Sequence, residues 1–201
     1  MGVTMPNSFY ALISRLKNID RWSLMRNSSR ENVQEHSHMV AVLAHALAVI
    51  GRDVYGQDVD PGRAAAAALF HDASEIFTGD MPTPVKYHNP EIITAYKKVE
   101  SLASAKLLDT LPPELQGAYA SLLSPDTDYT ASLIKAADKL AAYIKCLEEL
   151  KTGNNEFKSA AVQTHNKLVS LSMPEINYFM DHFIEAFGLT LDELELPSGR
   201  E

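Results

Sequence analysis

Apolar residues recur at intervals of three and four along most of the chain, and this spacing is the feature that most constrains its fold. Leu133, Ile134 and Ala137 show it, and the pattern continues to Leu147. Side chains three or four positions apart lie on one face of a helix, so each such segment should bury one face. No alternating run of β-branched residues is long enough for a strand. The sequence therefore predicts an all-α fold, with a single compact domain spanning residues 1–201.

Caps and breakers predict where the helices begin and end. The alanine-rich segment 64–76 is predicted as one helix, and Gly51 is predicted to end the helix before it. Asn89-Pro90-Glu91 is a good helix start, because it offers a capping side chain, an early proline and an early acid. That helix and the other predicted helices lie at residues 9–16, 40–50, 90–111, 115–123, 132–150, 160–171 and 174–187. The predicted breaks are Pro112-Pro113, Ser124-Pro125-Asp126 and Gly153-Asn154-Asn155.

The acidic composition limits the partners of this chain. A chain of 201 residues with 46% hydrophobic residues can build a core. Its formal net charge of -8 argues against a nucleic acid polymer or an anionic membrane as the main partner, because such binders usually carry a basic face. A small anionic ligand remains allowed, since a few local cations or a metal can override the global sign.

Cysteine usage and hydropathy indicate the compartment. The single cysteine, Cys146, is expected to be a buried thiol in a reducing cytosol. The N-terminus carries no leader pattern, and no segment approaches the roughly 20 apolar residues of a membrane span. We therefore expect a cytoplasmic protein that does not cross a membrane.

Four polar residues interrupt helices that must pack together. Asp138 borders an apolar face, where an unpaired carboxylate would be costly to bury, and His36 lies near the start of another apolar helix. His71 and Asp72 are adjacent, so both can reach one ion if that edge of the helix faces it. Two imidazoles and two carboxylates are the ligands of a borderline divalent metal. The helix that carries His36 has two candidate capping boxes, Ser28-x-x-Glu31 and Asn32-x-x-Glu35.

Each of these residues also has a purely structural alternative. A histidine at the edge of an apolar face is most often a hydrogen-bonded core residue, and this alternative applies to His36. Asp138 could pair with Lys135 or Lys139, and Glu75 could be surface charge. Only the combination of these residues points to a metal site.

Three motifs make the combination specific. They are "NVQEHS" near the start, "LFHDASEIFTGDMPTPVK" further on, and "KAADKLAAYIKCLEEL" followed by "GNNEF". Together they resemble the HD-domain metal-dependent phosphohydrolases, and more closely the bacterial 5'-deoxynucleotidase branch of that superfamily. The resemblance runs from "SRLKNIDRWSLMRN" to "TLDEL", nearly the whole chain. It implies a compact multi-helix HD-domain bundle that forms a homodimer.

The resemblance also implies roles for individual residues. It implies one divalent cation, cobalt, manganese or similar, because the interval in which a second metal would need extra histidines offers only His88. Glu75 would be the catalytic acid or base, and Arg21 would act on the phosphate. The implied metal ligands are His36, His71, Asp72 and Asp138. The implied substrate contacts are Arg21, Trp22, Asp72, Asp80, Met81, Pro82, Thr83 and Asp138.

These residue types suit hydrolysis of a phosphate monoester, which needs a water made nucleophilic near neutral pH by a metal. Glu75, one turn beyond His71 and Asp72, is predicted to project from the same side of the helix and to move a proton. Arg21 can pair with two phosphoryl oxygens at once, and Lys86 is a reserve candidate for that role. The predicted substrate is therefore a nucleoside monophosphate.

The position of Trp22 in the sequence indicates whether the enzyme prefers deoxyribose or ribose. A lone tryptophan is more often core than ligand contact. Next to the phosphate-binding arginine, however, its ring would lie near the sugar, and a rigid plate against C2' leaves a 2'-hydroxyl neither room nor partner. The sequence thus predicts hydrolysis of deoxyribonucleoside 5'-monophosphates to deoxyribonucleosides and phosphate.

Two other functions remain open. An HD phosphohydrolase acting on a nucleoside triphosphate or an alarmone would need more cationic side chains than those near these motifs. A non-catalytic metal- or nucleotide-sensing helical module would not need the full ligand set together with Glu75. The nearby cations are Arg21, Arg26, Arg30 and Lys86.

Overall fold

The computed structural model describes residues 7–86, 88–124 and 128–194. Within these ranges the chain forms α-helices and short 3₁₀ helices, with no strand and one isolated bridge between Asp20 and Asn32. The predicted all-α fold is confirmed. The α-helices are α1 (Phe9–Ile13), α2 (Val33–Tyr55), α3 (Pro61–Ala68), α4 (Glu75–Thr78), α5 (Thr83–Lys86), α6 (Pro90–Leu108), α7 (Pro113–Leu123), α8 (Tyr129–Lys151), α9 (Lys158–Ser170) and α10 (Pro174–His182). The 3₁₀ helices are Ser14–Asn18, Asn155–Phe157 and Ile184–Gly188.

The two longest helices, α2 and α8, form the centre of the bundle and pack against each other. Leu47 of α2 and Leu133 and Leu140 of α8 are fully buried in the main apolar cluster. The alanine-rich α3 packs against both helices, and its small side chains at Ala64 and Ala67 are buried there. Because these helices fit closely together, polar side chains on their facing edges are brought within contact distance.

A second apolar cluster holds the turn between α3 and α4 in place. Ala73, within this turn, is 1% exposed and belongs to a cluster with Phe9 of α1, Leu107 of α6 and Leu123 of α7. Phe70, also in the turn, packs against the same cluster. The histidine–aspartate pair therefore sits on a turn that is anchored on its apolar side by three helices.

The predicted helix at residues 64–76 is wrong in its second half. Helix α3 ends at Ala68, and the chain continues through tight turns until α4 begins at Glu75. The N–H of His71 bonds to the carbonyl of Ala68 at 3.3 Å, and the N–H of Glu75 bonds to the carbonyl of Asp72 at 3.0 Å. These bonds span three residues, as in a 3₁₀ helix, so this segment is wound more tightly than an α-helix. The pair and Glu75 thus lie on a tightened turn rather than on one α-helical face.

Helix α2 begins with one of the two predicted capping boxes. The Oδ1 of Asn32 accepts from the N–H of Glu35 at 3.0 Å, and the Oε2 of Glu35 accepts from the N–H of Asn32 at 3.2 Å. The alternative box at Ser28 and Glu31 does not cap the helix. The side chain of Glu31 is therefore left for another role.

The predicted end of this helix at Gly51 is wrong. Helix α2 continues to Tyr55 and ends at Gly56, which has φ +68 in the left-handed region that favours glycine. Gly51 lies inside the helix, at a position where the neighbouring side chains leave no room for a β-carbon. A β-carbon at Gly51 would lie 2.7 Å from the Oη of Tyr129.

The other predicted helices are present, with shifted ends. Helix α6 ends at Leu108 rather than Leu111, and α10 ends at His182, after which the chain forms a 3₁₀ helix instead of continuing as an α-helix. Helix α8 begins earlier than predicted, because the side chain of Asp128 caps it. The predicted turn at residues 124–126 lies partly outside the described residues.

Cys146 belongs to a third apolar cluster between α8 and α9. It is fully buried, as predicted, with Phe157 and Ala161. Burial raises the pKa of the Cys146 thiol to about 11, so the thiol is protonated at neutral pH. Trp22 and Met25 pack against this cluster, which places the segment after residue 20 beside α8 and α9.

Helix α2 differs from the expectation that no segment resembles a membrane span. Among the described residues, it is long and apolar enough to cross a membrane by length and composition alone. However, 50% of its apolar window is buried inside the protein, and it forms the middle of the bundle. The core helix of a globular bundle passes the same test, so this apolar character follows from its position in the core.

Candidate metal centre and active site

Side chains from three separate parts of the chain meet in one cluster. His36 comes from α2, His71 and Asp72 come from the turn between α3 and α4, and Asp138 comes from α8. The Nε2 of His36 lies 3.1 Å from the Oδ1 of Asp138 and 3.7 Å from the Oδ2 of Asp72. One candidate ligand atom from each of His36, His71 and Asp138 lies within 4.8 Å of the other two. The four residues predicted as metal ligands are therefore neighbours.

The histidine rings are oriented to offer a nitrogen to a cation. The Nδ1 of His71 is 2.7 Å from the carbonyl of Ala68 and donates its proton there, so Nε2 is the ring nitrogen that can face a cation. Among the described residues, the Nε2 of His71 has no hydrogen-bond partner, although the Oδ2 of Asp72 is 3.1 Å away. His36 is fully buried with its Nε2 towards two carboxylates. This donor set fits one divalent cation.

The carboxylates of the cluster are held ionised. Burial by itself would raise the pKa values of Asp72 and Asp138, but the neighbouring imidazoles lower both, with help for Asp138 from Lys139. The Nζ of Lys139 is 2.9 Å from the Oδ2 of Asp138, so Lys139 rather than Lys135 forms the predicted ion pair. For His71, burial lowers the pKa, but the carboxylates outweigh it and raise the pKa overall. The cluster therefore attracts positive charge, as a metal site should.

Arg21 reaches the cluster from the segment before α2. Its Nη1 is 3.4 Å from the Oδ2 of Asp72, and its Nε is 3.2 Å from the Oε2 of Glu31. The side chain is 12% exposed. Burial opposes its charge, but the carboxylates around it raise the pKa of Arg21. A largely enclosed, permanently charged guanidinium beside the metal ligands can bind a phosphoryl group.

Trp22 both packs against the core and keeps accessible surface. Its φ of 55° lies in the left-handed region, which is uncommon for a residue other than glycine. The Nε1 donates to the Oε2 of Glu31 at 3.0 Å, and the ring centroid is 5.4 Å from that of Phe157. The side chain is half-buried, so the core role considered from the sequence is partly present. Sequence reasoning considered Glu31 only for a capping box and missed this contact.

Glu75 is a buried carboxyl next to the cluster. It begins α4 and is 6% exposed, which rules out the surface-charge alternative. Its Oε2 has no hydrogen-bond partner among the described residues. Burial, together with the charges of Asp72 and Asp80, raises the pKa of Glu75 to about 9. A carboxyl that holds its proton near neutral pH beside a metal site is suited to proton transfer.

The loop after α4 carries the remaining predicted substrate residues. Asp80 is half-buried and close enough to interact with the charge of Arg21; burial raises the pKa of Asp80 overall. The Nζ of Lys86 is 2.7 Å from the Oε1 of Glu100, which ties the end of the loop to α6. The substrate roles of the other loop residues stay predictions; Met81 and Pro82 are half-buried, and Thr83 is exposed.

A buried ion pair that sequence reasoning did not assign anchors the segment before α2. Glu149 is 1% exposed and accepts from the Nζ of Lys145 one helical turn earlier. It also accepts from the N–H groups of Ser28 and Ser29, at 2.8 and 3.2 Å, and from the Nδ2 of Asn154 at 2.7 Å. The sequence signal was a lysine and a glutamate four positions apart on an apolar helix, which is common without such a role.

The fold and this site together define the class of the protein. An all-α bundle in which two histidines and two carboxylates meet, two of them adjacent in sequence, is the arrangement of the HD-domain phosphohydrolases. An HD-domain phosphohydrolase from Listeria innocua superimposes with a TM-score of 0.78 at 25% sequence identity, covering 90% of this chain and 88% of that chain. A protein from Pyrococcus horikoshii OT3 shares the fold, with a TM-score of 0.68 at 21% identity, covering 90% of this chain and 97% of its own.

The chain belongs to the YfbR-like 5'-deoxynucleotidase family, whose model matches residues 8–187. A 5'-deoxynucleotidase of Yersinia pseudotuberculosis serotype I (strain IP32953) is 50% identical over 192 residues, covering 94% of this chain and 98% of the relative. A 5'-deoxynucleotidase of Yersinia pestis (strain Pestoides F) is 49% identical with the same coverage. The family predicted from the motifs is thus confirmed.

Proposed function

We propose that this chain is a metal-dependent 5'-deoxynucleotidase, which hydrolyses deoxyribonucleoside 5'-monophosphates to deoxyribonucleosides and phosphate. Family membership and relatives of about half-identical sequence over nearly the whole chain support this activity. The observation that carries the mechanism is the burial of Glu75, with one carboxylate oxygen unpartnered among the described residues, beside a cluster of metal-ligand type.

The proposed cofactor is one divalent cation, held by His36, His71, Asp72 and Asp138. When bound, it supplies a nucleophilic water near neutral pH and neutralises charge on the phosphoryl group. The donor set suits cobalt, manganese and similar ions alike. The chain contributes the orientation of the ligands, above all the hydrogen bond from the ring of His71 to the carbonyl of Ala68.

Arg21 is proposed to bind the phosphoryl group and Glu75 to transfer a proton. Arg21 binds phosphoryl oxygens through a planar guanidinium that is already held between Asp72 and Glu31. Glu75, with its pKa raised to about 9, would donate its proton to the 5'-oxygen as that phosphorus–oxygen bond breaks and water forms the new bond to phosphorus, and a proton from the water would then restore Glu75. The nucleoside then leaves with a neutral 5'-hydroxyl group.

Trp22 and the loop at Asp80 are proposed to recognise the sugar. The indole of Trp22 would lie against C2', where a 2'-hydroxyl meets an apolar surface without a hydrogen-bond partner. Asp80, Met81, Pro82 and Thr83 would line the other side, with Asp80 available to accept from a sugar hydroxyl. Asp72 and Asp138 would contact the substrate as well as the cation. These contacts would favour deoxyribonucleotides over ribonucleotides.

The proposal extends to the setting in which the enzyme works. A net charge of -8 supports a small-molecule substrate rather than a nucleic acid polymer or a membrane surface. The single buried cysteine supports a cytoplasmic protein, and the family resemblance supports a homodimer of single HD-type domains spanning residues 1–201.

A phosphate-release assay tests the proposal. The protein is stripped of metal, given one divalent metal at a time, and offered matched ribo- and deoxyribonucleoside 5'-monophosphates and triphosphates. We expect release only with metal and with preference for the deoxyribonucleoside monophosphates. A preference for triphosphates would favour another HD phosphohydrolase activity, and no release with any metal would favour a nucleotide-sensing module.

A further inference from the structure

One carboxylate oxygen of Glu31 accepts two hydrogen bonds from adjacent residues. The Nε of Arg21 donates to Oε2 at 3.2 Å, and the Nε1 of Trp22 donates to the same atom at 3.0 Å. The side chain of Glu31 is 18% exposed, so solvent replaces these bonds only partly. Glu31 also joins the segment through its backbone, since its carbonyl accepts from the N–H of Arg21 at 2.9 Å.

For Arg21, this contact fixes the plane of the guanidinium. The Nε is held by Glu31 and the Nη1 lies 3.4 Å from the Oδ2 of Asp72, so two carboxylates from different parts of the chain grip the group. A guanidinium presents its N–H groups in one plane, so hydrogen bonds at two of its nitrogens, each directed along an N–H, restrict the rotation of that plane. Its remaining donors are therefore aimed before any phosphate arrives.

For Trp22, the same contact fixes the direction of the indole. Its backbone has φ 55°, a strained conformation that persists only where the surrounding structure holds it. The bond from Nε1 to Glu31 and the packing of the ring against Phe157 hold the side chain at both ends. The Nδ2 of Asn27 adds a hydrogen bond to the carbonyl of Trp22 at 3.2 Å.

We infer that Glu31 is a positioning residue that sets phosphate affinity and sugar selectivity together. It acts through Arg21 and Trp22, and the inference rests on the proposed function for their roles towards phosphate and sugar. Because both bonds end on one oxygen, the guanidinium and the indole keep a fixed relation to each other. Loss of this carboxylate should free both groups at once.

The loop beyond Trp22 is anchored independently of Glu31. Glu149 binds the N–H groups of Ser28 and Ser29, and the carbonyl of Ser29 accepts from the Nζ of Lys145 at 2.7 Å. These contacts belong to α8 and remain when Glu31 is changed. A substitution at Glu31 should therefore release two side chains while the loop stays in place.

Two variants of Glu31 test the inference. Glu31→Ala removes both bonds, whereas Glu31→Gln keeps one acceptor oxygen and the side-chain shape but removes the charge. For Glu31→Ala we expect the KM for dAMP to rise by about 10-fold or more, because charge-assisted hydrogen bonds are lost. The preference for dAMP over AMP in kcat/KM should fall by about 10-fold as the indole becomes mobile. Glu31→Gln should lie between the wild type and Glu31→Ala.

The fluorescence of Trp22 gives a readout that does not depend on catalysis. Trp22 is the single tryptophan of the chain, so intrinsic emission reports its surroundings alone. In the substrate-free protein, acrylamide quenching should increase in Glu31→Ala. If wild-type protein released no phosphate from any nucleotide, the proposed function would fail, while this quenching comparison would still decide whether Glu31 fixes the indole.

A matched control comes from the neighbouring capping box. Glu35→Gln removes one negative charge four residues away and keeps a side chain that suits this capping position. It should match the wild type in KM, in substrate preference and in quenching. The inference is overturned if Glu31→Ala keeps the wild-type KM, preference and quenching. It is equally overturned if Glu31→Ala loses kcat alike for dAMP and AMP with quenching unchanged, which would indicate a merely structural role.

Discussion

The Nε2 of His36 and the Oδ1 of Asp138 lie 3.1 Å apart, although 102 positions separate the two residues in the sequence. His36 comes from the first turns of α2 and Asp138 from the middle of α8, the two central helices. The contact exists only when these helices are packed, so ligand geometry and core packing depend on each other. A cation bound there should therefore also stabilise the fold.

Changing Glu75 should separate proton transfer from metal binding. Glu75→Gln keeps the shape of the side chain but cannot supply the proton, so kcat should fall by about 10²-fold or more. Metal content, measured by elemental analysis, and KM should stay near the wild-type values. The exposed residue Glu91 of α6 offers a matched control, since Glu91→Gln should leave all three quantities unchanged. Loss of the metal in Glu75→Gln would make Glu75 a ligand instead.

Removing the indole of Trp22 should relax sugar selectivity. Trp22→Ala should gain activity on AMP relative to dAMP, because a 2'-hydroxyl no longer meets an apolar wall. The ratio of kcat/KM values for the two substrates measures this without knowledge of the active fraction. The variant should also lose stability, since the ring packs against Phe157. An unchanged ratio in folded, metal-loaded protein would show that Trp22 serves the core alone.

Periodicity predicted the helices well but could not predict where several of them end. The segment at residues 64–76 is alanine-rich and apolar throughout, so nothing local marks the end of α3 at Ala68. The chain winds more tightly from His71 onwards because Phe70 and Ala73 pack on a cluster contributed by α1, α6 and α7. Such a cause lies in tertiary structure, which overrides local propensity.

The candidate site was predictable where residues conflicted with their surroundings or matched the motifs of the family. His36 and Asp138 stood out because polar groups on apolar helix faces need partners. Glu31 gave no such signal, because a glutamate before a helix start suits a cap or the surface. Its contacts with Arg21 and Trp22 arise from the isolated bridge near residue 20, which no sequence pattern announces.

Gly51 should be needed for packing rather than for backbone conformation. Gly51→Ala would place a β-carbon 2.7 Å from the Oη of Tyr129, which cannot move freely because it donates to the Oε1 of Glu175 at 2.6 Å. Urea unfolding should show a loss of about 1–3 kcal/mol. The control is Gly117→Ala in α7, where the added carbon meets nothing within 4 Å. It should stabilise by up to about 1 kcal/mol, and equal effects at both glycines would contradict this account.

The ionised side chain of Glu149 should increase the free energy of unfolding, and this contribution should be lost at low pH. Burial favours its neutral form, but bonds from Lys145, Asn154 and the N–H groups of Ser28 and Ser29 prevail and lower the pKa of Glu149 to about 2, from 4.5 for an ordinary glutamate. Because the pKa is lower in the folded state, the stabilisation is complete above about pH 4.5 and is lost as the pH falls towards 2. It amounts to about 3 kcal/mol at neutral pH.

Unfolding free energies of the wild type and Glu149→Gln check this pH dependence. The wild type should be more stable at neutral pH, and its advantage should be about 2 kcal/mol smaller at about pH 3. The comparison cancels the effect of other carboxylates that titrate in both proteins. An advantage that stays constant between these pH values would mean that the pKa of Glu149 is not lowered.

Titration of metal-stripped protein with a single divalent metal, followed by phosphate release from dAMP, tests the central claim most directly. The wild type should be inactive without metal and should reach full activity at about one equivalent, as should the control Asp58→Asn at an exposed position. Asp138→Asn should bind little metal, melt at a lower temperature and stay at least about 10²-fold less active. Full metal content and normal turnover in Asp138→Asn, or wild-type activity that needs no metal, would contradict the account.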